Sequence, residues 1–543
     1  MGQNPNGKSQ PRYRNPQNEF MRIQAWLALA AIAGVTDCTA AAQGNDTNVF
    51  PVLSIRGQNL TNVTISSVNP AYAIIFFDRG AKRVPLSDLP DFLQKKYGYD
   101  PAKAEQFEAE EQRKKTDAFA KRQSIRIESE KAQRATDWPE WRGPNRNGSG
   151  TSAEVLASSW PPDGPNRMWV TKGLPSGGSS SPVVANGRVY VYIHQREAKL
   201  DTVVCLDEKT GAIEWQRDFP VPMVTLHDAS GTPCISWGRC VIMGARFCYC
   251  LDAATGVVIW EKDSHLPSKD PGLNGPRQEV CSSFAIVADV AVVLCGPPLG
   301  YDLQTGKLLW QAAEGGGWSG ANSSVSICPG DRIVYTGQNR LSCLDAKTGN
   351  NVWDLPGGGK HLTTYGVTPV VSGNILLATS QDELWSFDLS ADPPHQLWHV
   401  PCGDEFSTPA ASVDRCFMLE TGWNARSNYT AWVSNYATWQ QPYSLRGGYQ
   451  IVCRNLKTGE MVWHTPIPDS QYASPILVNG KLFILSDNSK EIEMLDSQDG
   501  RLLGSTAVGA VKWSTPAITH GKMFLRVDHG VACYDLTASG LAR

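Results

Sequence analysis

A single phrase recurs along the 543-residue chain, and this repeat restricts the fold more than any other feature. In its full form the phrase reads Asp-x-x-Thr-Gly-x-x-x-Trp, and weaker or truncated copies extend the series. Consecutive copies lie 39 to 50 residues apart, with one longer interval of 67. Eight copies at this period predict a closed or stacked array rather than eight independent domains. The Asp or Asn positions are 207, 252, 302, 345, 388, 455, 496 and 535.

Each residue of the phrase has a mechanical role. Alternating apolar residues before the Asp predict a strand, the Asp side chain accepts turn N–H groups, and the Gly supplies a positive φ. A Trp four residues past the Gly can wedge between neighbouring sheets with its N–H bonded. This slot explains why Trp (18) outnumbers Tyr (16) and Phe (15). We predict structural repeat roles for Trp169, Asp207, Gly211, Trp215, Asp252, Gly256, Trp260, Asp302, Gly306, Trp310, Asp345, Gly349, Trp353, Gly459 and Trp463.

A second phrase precedes each copy and reads as a β-hairpin, for example SSPVVANGRVYV at 180–191. Hairpin and phrase together give four strands, A to D, which is the pattern of a propeller blade. We therefore predict an all-β, eight-bladed β-propeller over 137–543. Residues 166–173 hold the Trp of a D strand without its other three strands. This N-terminal strand is expected to complete the C-terminal blade by strand exchange, which removes exposed edges.

The complete phrases resemble the repeat of the pyrroloquinoline-quinone-like (PQQ-like) propeller family. Members often begin with a segment similar to DWPEWRGPNRNGSG (137–150), and the resemblance covers about 137–543. It implies a propeller fold, with a function either like that of quinoprotein alcohol dehydrogenases or like that of non-enzymatic scaffolds of the BamB type. The sequence departs from the family pattern at Asn455, at Gly504 and in the irregular fifth copy, 388–398.

Motifs of catalysis are missing from the sequence. The resemblance implies that a quinoprotein alcohol dehydrogenase carries an adjacent Cys-Cys pair, and in some cases Cys-x-x-Cys-His for haem; this sequence contains neither. It also has no P-loop, Gly-x-Ser-x-Gly elbow or His-Glu-x-x-His. We therefore expect no cofactor and no metal site, and no catalytic residue is assigned. A dehydrogenase that uses PQQ with Ca²⁺ to oxidise an alcohol or a sugar is the alternative.

One rim of the ring is nominated as the binding face, because the D-to-A and B-to-C connections of every blade lie there. The slot five residues before the Pro position of each A strand holds three acids among its eight members, which are Gly177, Asp228, Glu279, Gly320, Thr364, Asp404, Ser470 and Val511. With His227, Arg277 and His361 nearby, the acids suggest a cation-binding or sugar-binding mouth. The alternative is a solvated rim whose charges have no shared function.

The 67-residue interval is explained by an insertion, 420–450, in one B-to-C connection. It contains many aromatic residues, which suit sugar stacking or a protein partner. The alternative is a small core that folds the loop onto the ring. The candidate binding residues are Trp423, Tyr429, Trp432 and Trp439.

The residues before the propeller divide into three parts. Residues 1–42 are predicted to be a disordered extension and a signal peptide, because the apolar run 25–35 is short and ends in small residues. A lipid anchor at Cys38 is the competing interpretation, and the start codon, Met1 or Met21, stays open. Residues 43–100 predict a small β-rich module, and 101–136 a charged helical spacer.

The charge balance excludes one class of partner. Fifty basic against 53 acidic residues leave a net charge of −3, which does not favour nucleic acid. We expect an exported protein, periplasmic or extracellular, with no transmembrane segment. Its expected role is non-catalytic binding or scaffolding in the cell envelope, with an envelope protein or a glycan bound through the aromatic insertion. A carbohydrate-binding propeller is a further alternative.

Replacing Trp423, Trp432 and Trp439 with Ala tests the carbohydrate alternative. Retention on immobilised glycans should be lost because the stacking faces are removed, whereas far-UV circular dichroism should be unchanged. Retention equal to that of the unchanged chain would end this idea.

Overall fold

The computed structural model describes most of the chain from residue 48 onward. The predicted signal segment, 1–42, lies outside the described residues. The described ranges are 48–221, 231–264, 282–313, 323–337, 340–356, 367–379, 383–402, 407–421, 449–467, 474–486, 490–511 and 513–540. These residues divide between two compact units, 1–122 and 123–543.

The first unit contains an antiparallel four-stranded sheet. Alternating apolar residues form its core, with Val63 and Ile75 fully buried. A 3₁₀ turn at Leu86–Asp88 and a short helix close one side, where Leu93 is also fully buried. The elements are β1 Val49–Ile55, β2 Gln58–Val68, β3 Tyr72–Phe77, β4 Gly80–Pro85 and α1 Asp91–Lys96.

A long polar helix, α2 (Pro101–Thr136), follows this sheet. The Asp100 carboxylate accepts the backbone N–H of Ala102 at 2.9 Å and so caps its first turn. Within the first unit, the Tyr72 hydroxyl donates to the Glu111 carboxylate at 3.3 Å. The division between the two units falls inside this helix, after residue 122.

The described residues of the second unit form seven four-stranded antiparallel sheets and one five-stranded sheet, numbered here in chain order. Two short strands come first, β5 Ser149–Gly150 and β6 Asn166–Lys172. Sheet 1 contains β7 Val183–Ala185, β8 Arg188–Gln195, β9 Leu200–Asp207 and β10 Ile213–Pro220; sheet 2 contains β11 Cys234–Ser236, β12 Arg239–Met243, β13 Phe247–Asp252 and β14 Val258–Asp263; sheet 3 contains β15 Ala285–Val287, β16 Val290–Leu294, β17 Pro298–Asp302 and β18 Leu308–Gln311; sheet 4 contains β19 Ser326–Cys328, β20 Arg332–Gly337, β21 Arg340–Asp345 and β22 Asn351–Pro356.

The later sheets include the two short strands from the start of the unit. β5 pairs in parallel with β31, and β6 pairs antiparallel with β37. Sheet 5 contains β23 Val370–Ser372, β24 Ile375–Thr379, β25 Glu383–Asp388 and β26 His395–Pro401; sheet 6 contains β27 Ala410–Ala411, β28 Arg415–Thr421, β29 Tyr449–Asn455 and β30 Met461–Ile467; sheet 7 contains β31 Ile476–Val478, β32 Lys481–Leu485, β33 Glu491–Asp496 and β34 Leu502–Ala507, with β5 as its fifth strand; sheet 8 contains β35 Ala517–Thr519, β36 Lys522–Val527, β37 Gly530–Asp535 and β6.

The first strand of each sheet is its inner strand, because these strands contact one another from sheet to sheet. β7, β11, β15, β19, β23, β27 and β31 make consecutive contacts, and β35 contacts β7. Apolar clusters between the sheets form the core. Antiparallel four-stranded sheets joined through their first strands are the architecture of a β-propeller.

The turn of the repeated phrase has the geometry expected from its residues. The Asp207 carboxylate accepts the backbone N–H of Thr210 at 2.8 Å and its hydroxyl at 2.7 Å. Hydrogen bonds from the Thr210 side chain and backbone hold the pKa of Asp207 below its usual value. Gly211 has φ = 72°, a conformation that costs a glycine little.

The repeat Trp lies on the Gly of the next sheet. A Cβ placed on Gly306 would come within 2.6 Å of the Trp260 ring, so only glycine fits there. The Trp260 indole donates to the carbonyl of Leu303 at 3.0 Å. Across β13 and β14, Trp260 pairs with Cys250, which is fully buried as a compact apolar residue. The same Trp-to-Gly contact occurs for Trp169 on Gly211, Trp215 on Gly256, Trp310 on Gly349, Trp398 on Gly459 and Trp463 on Gly500.

The departure at Gly504 is filled by a residue from outside the repeat. Gly504 occupies the Trp slot of sheet 7, opposite Met494. A Cβ there would lie 2.6 Å from Trp160, whose backbone N–H donates to Leu503. Trp160 therefore supplies the aromatic ring that the seventh copy lacks.

A belt of hydroxyl groups links the inner strands. In each bond the backbone N–H just before one inner strand donates to a Ser or Thr hydroxyl just before a neighbouring one. Six such bonds, of 2.9 to 3.1 Å, occur among the described residues. The donor and acceptor pairs of this hydroxyl belt are Ser181 to Thr232, Thr232 to Ser283, Ser283 to Ser324, Ser324 to Thr368, Thr408 to Ser474 and Thr515 to Ser181.

An ion cluster joins sheet 8 to sheet 1. His520 contacts the carboxylates of Asp137 and Glu208, both at 3.2 Å, and Lys522 contacts Glu208 at 2.8 Å. Hydrogen bonds to Asp137 and then Glu208 raise the pKa of His520 to about 10. Burial opposes ionisation of Glu208, but its bonds to His520 and Lys522 outweigh burial and lower its pKa to about 2. We call Asp137, Glu208, His520 and Lys522 the seam cluster.

Replacing Trp260 with Ala should lower the free energy of unfolding by about 3–5 kcal/mol, because a buried ring between two sheets is lost. Urea unfolding followed by circular dichroism measures the change. Val257→Ala is the control: this side chain is 57% exposed, and its change should stay within about 0.5 kcal/mol. Equal effects of the two substitutions would contradict the role of the Trp contact.

The stability difference between the unchanged chain and His520→Gln should depend on pH. Because the folded pKa of His520 is raised, its contribution is complete below about 6.5 and disappears as the pH rises towards 10. We expect roughly 1–2 kcal/mol at pH 6, reduced by the partial exposure of the imidazole. Thermal unfolding from pH 6 to 10 measures it, with the exposed His395→Gln as control. A difference that grows with pH would refute the ion pairing.

Candidate functional site

The eight binding residues predicted from the sequence all lie outside the described residues. They belong to the rim connections and to the aromatic insertion, and their roles stay predictions. They are Asp228, Glu279, His361, Asp404, Trp423, Tyr429, Trp432 and Trp439.

The described residues contain two other sites with unusual chemistry, one among the inner strands and one on the rim. The first is the axial segment, Asp137–Gly150. Trp138 exchanges backbone hydrogen bonds with Val184 of sheet 1, at 2.8 and 2.9 Å. The backbone N–H of Leu477 in sheet 7 donates to Gly148 at 2.8 Å. The segment bonds to the inner region of six different sheets and therefore lies across the middle of the propeller.

The axial segment carries a buried charged group at its start. Glu140 is fully buried and forms ion pairs with Arg134 and with Arg146, the latter at 2.8 Å. The Arg146 guanidinium also donates to the carbonyls of Phe284 at 2.7 Å and Val325 at 3.1 Å. One arginine thus ties the segment to sheets 3 and 4, which the hydrogen-bonding capacity of a guanidinium permits.

Arg142 is buried without a carboxylate partner among the described residues. Its Nη2 donates to the carbonyls of Pro409 at 2.7 Å and Pro475 at 3.1 Å, while Nε and Nη1 have no partner. Its guanidinium lies 5.7 Å from the Trp141 ring centre. Burial lowers the pKa of Arg142 to about 9. Arg142 therefore joins the axial segment to the residues just before the inner strands of sheets 6 and 7.

From the sequence, 137–150 is recognisable only as a segment similar to the start of other family members. Its place among the inner strands of the propeller is not predicted. Its two arginines, Arg142 and Arg146, stand in a short segment rich in Gly and Asn, just before the first hairpin. That composition was the available signal, because a charged residue next to glycines can approach backbone carbonyls closely.

The second site is a cleft of about 430 Å³ where sheets 7, 8 and 1 meet. It lies on the D-to-A and B-to-C rim nominated from the sequence. Two described members of the predicted slot, Gly177 and Val511, line it. We call it the rim cleft. Its charged and aromatic lining consists of Lys490, Trp513, Arg526, Asp528 and His529.

Arg526 borders the rim cleft and is almost fully buried, at 2% exposure. Its Nη1 donates to the carbonyl of Tyr192 at 2.8 Å and its Nη2 to that of Gly177 at 3.4 Å; Nε has no partner. Burial lowers the pKa of Arg526 to about 10, so it stays charged at neutral pH. In the described part of the chain no carboxylate forms an ion pair with it.

A polar network lies behind the cleft. The buried Asp201 carboxylate accepts the Tyr192 hydroxyl at 2.6 Å and contacts His194 Nδ1 at 2.8 Å. The backbone N–H of Ala245 in the second sheet also donates to it, at 3.0 Å. A Cβ on Gly177 would lie 2.0 Å from the His194 carbonyl, so this wall requires glycine. The network fixes the backbone on one side of the cleft.

Clusters of metal-ligating side chains are absent from the described ranges: no three His, Cys, Asp or Glu side chains there group as metal ligands. The described cysteines other than Cys402 are free thiols. In the same part of the chain, no helix has the length and apolar character needed to cross a membrane.

Part of the sequence matches a model of a known protein family. The family model described as "Outer membrane protein assembly factor BamB" matches residues 158–322 and 299–415. Among curated proteins, none matches the chain by sequence.

Two solved dehydrogenases share the fold at low identity, and a solved BamB is also similar to the chain. A europium-containing methanol dehydrogenase is 15% identical, with a TM-score of 0.52, over 73% of this chain and 90% of its own. A quinohemoprotein alcohol dehydrogenase from Comamonas testosteroni is 13% identical, with a TM-score of 0.52, over 74% and 81%. BamB from Moraxella catarrhalis is 16% identical, with a TM-score of 0.49, over 68% and 99%.

The repeated phrase, the four-stranded sheets and the family match point to the same group of proteins. The chain carries a β-propeller that resembles the PQQ-like repeat family across residues 158–415, and its fold is similar to that of quinoprotein alcohol dehydrogenases.

Proposed function

We propose that the propeller has eight blades and closes by strand exchange. The pairing of Trp169 in β6 with Cys533 in β37 supports this, because it gives sheet 8 its fourth strand. The bond from Thr515 to Ser181 in the hydroxyl belt links sheet 8 to sheet 1. The seam cluster adds charged contacts at the same junction.

The protein acts, in our proposal, as a non-catalytic binding or scaffold protein. The axial segment carries this conclusion. The central channel of a propeller is the concave space in which a ring can hold a cofactor. Here the side chains of Glu140, Arg142 and Arg146 are buried among the inner strands and bond to the surrounding sheets, and in our proposal they take up that space. Binding then falls to the rim.

Its place of action is the cell envelope, after export. The matching family model is described as an outer membrane assembly factor, which supports an envelope role. The signal-like residues before position 42 support export. The partner in this proposal is an envelope protein or a glycan.

A quinone-dependent dehydrogenase is the competing function, favoured by the folds of the two alcohol-oxidising enzymes. In that case PQQ with Ca²⁺ would bind to the ring and an alcohol or a sugar would be oxidised.

Titration with PQQ and Ca²⁺ separates the two functions. We expect no saturable change in absorbance and no oxidation of alcohols or sugars in a dye-linked assay, because the axis is filled by the chain. An active quinoprotein alcohol dehydrogenase serves as the positive control. Tight PQQ binding together with turnover would overturn the scaffold proposal in favour of the dehydrogenase.

A further inference from the structure

The rim cleft contains the elements of an anion site. Arg526 is a buried cation whose hydrogen-bond partners are two backbone carbonyls, which lack a formal charge. A buried charge without a counterion is costly, and an anion that enters from solvent would relieve that cost. Lys490, exposed at the same cleft, adds a second positive charge. The donor left over on Arg526 is Nε.

An aromatic face stands beside these cations. Trp513 is 56% exposed, although a Trp is usually largely buried. Its backbone has φ = 64°, a left-handed conformation that is strained for a bulky residue. Strained backbone conformations are frequent at ligand sites, where contacts with the surrounding structure maintain them. An exposed indole at a cleft suits stacking against a flat ring face.

The rest of the lining is polar. Ser176 and Ser179 contribute hydroxyl groups, Asp528 a carboxylate and His529 an imidazole. Asp528 and His529 lie 3.7 Å apart and are both exposed. These groups suit the hydroxyls of a sugar and are a poor match for a hydrocarbon chain. The volume of about 430 Å³ lies in the range of small-molecule sites.

We propose that the rim cleft binds an acidic sugar, with its carboxylate against Arg526 and Lys490 and its ring on Trp513. This inference deepens the binding role proposed above and rests on it. The residues that line the site come from three sheets, and none of them belongs to the sequence of the aromatic insertion. A hexuronate is the simplest ligand with this chemistry.

Calorimetric titration of the full-length chain tests the proposal with three probes. Glucuronate should bind saturably. Glucose, which has the ring without the carboxylate, and acetate, which has the carboxylate without the ring, should each bind at least about tenfold more weakly. Equal affinity for glucose would refute the role of Arg526, and equal affinity for acetate would refute the role of Trp513.

Three variants locate the site. Trp513→Ala and Lys490→Ala, both at exposed positions, should each weaken glucuronate binding about tenfold. Arg526→Lys keeps a cation but loses the planar fork, and should abolish measurable binding. Lys209→Ala, exposed on the opposite rim, is the matched control and should bind like the unchanged chain. If Trp513→Ala and Lys490→Ala bind glucuronate with unaltered affinity, the ligand binds outside the rim cleft and the proposal is overturned.

Two further outcomes separate this inference from the scaffold role. A short peptide with a free C-terminal carboxylate is the first comparison. If it binds more tightly than glucuronate, the acidic-sugar assignment is wrong and the ligand is a peptide C-terminus. No binding of glucuronate at all would refute the acidic-sugar assignment, while the PQQ titration would still decide the scaffold role independently.

Discussion

The contact of a Trp ring with a Gly in the next sheet is the constraint on which the propeller depends. In a repeat array each unit contacts its neighbours, so the stability of the whole is set by these interfaces. Gly256 and Gly306 carry no Cβ and hold a positive φ, which lets Trp215 and Trp260 approach their backbone. The small residue opposite the Trp, such as Cys250, follows from the same packing. One geometric requirement therefore selects three positions of each phrase.

Local roles could be predicted from the sequence, whereas contacts between distant segments could not. The Asp–Thr turn and the Trp wedge depend on residues close in the chain, so their period reveals them. The Ser and Thr positions of the hydroxyl belt also recur, but their bonds, such as Ser283 to Ser324, join different sheets. Trp160 and Arg526 occur once and carry no periodic signal. For this reason the sequence does not predict that Trp160 takes the place of the missing ring at Gly504.

Two buried arginines have similar hydrogen-bond partners but differ in their access to solvent. Arg142 is fully enclosed, and its carbonyl partners belong to sheets 6 and 7. Arg526 is held in a similar way, by carbonyls of Tyr192 and Gly177, but it borders a cleft open to solvent. The first therefore stabilises the middle of the propeller, and the second is available to a ligand. The same chemistry supports structure in one place and recognition in the other.

The pairing of β6 with β37 also affects the order in which the chain can fold. β6 follows the axial segment, while its partner strand lies near the other end of the unit. The segment around Trp169 has no sheet partner until the last repeat has been synthesised. Such long-range pairing slows folding, because the chain loses the entropy of closing a very large loop before the strand–strand hydrogen bonds form. During synthesis, the early strand would therefore stay exposed to chaperones until the final repeat is complete.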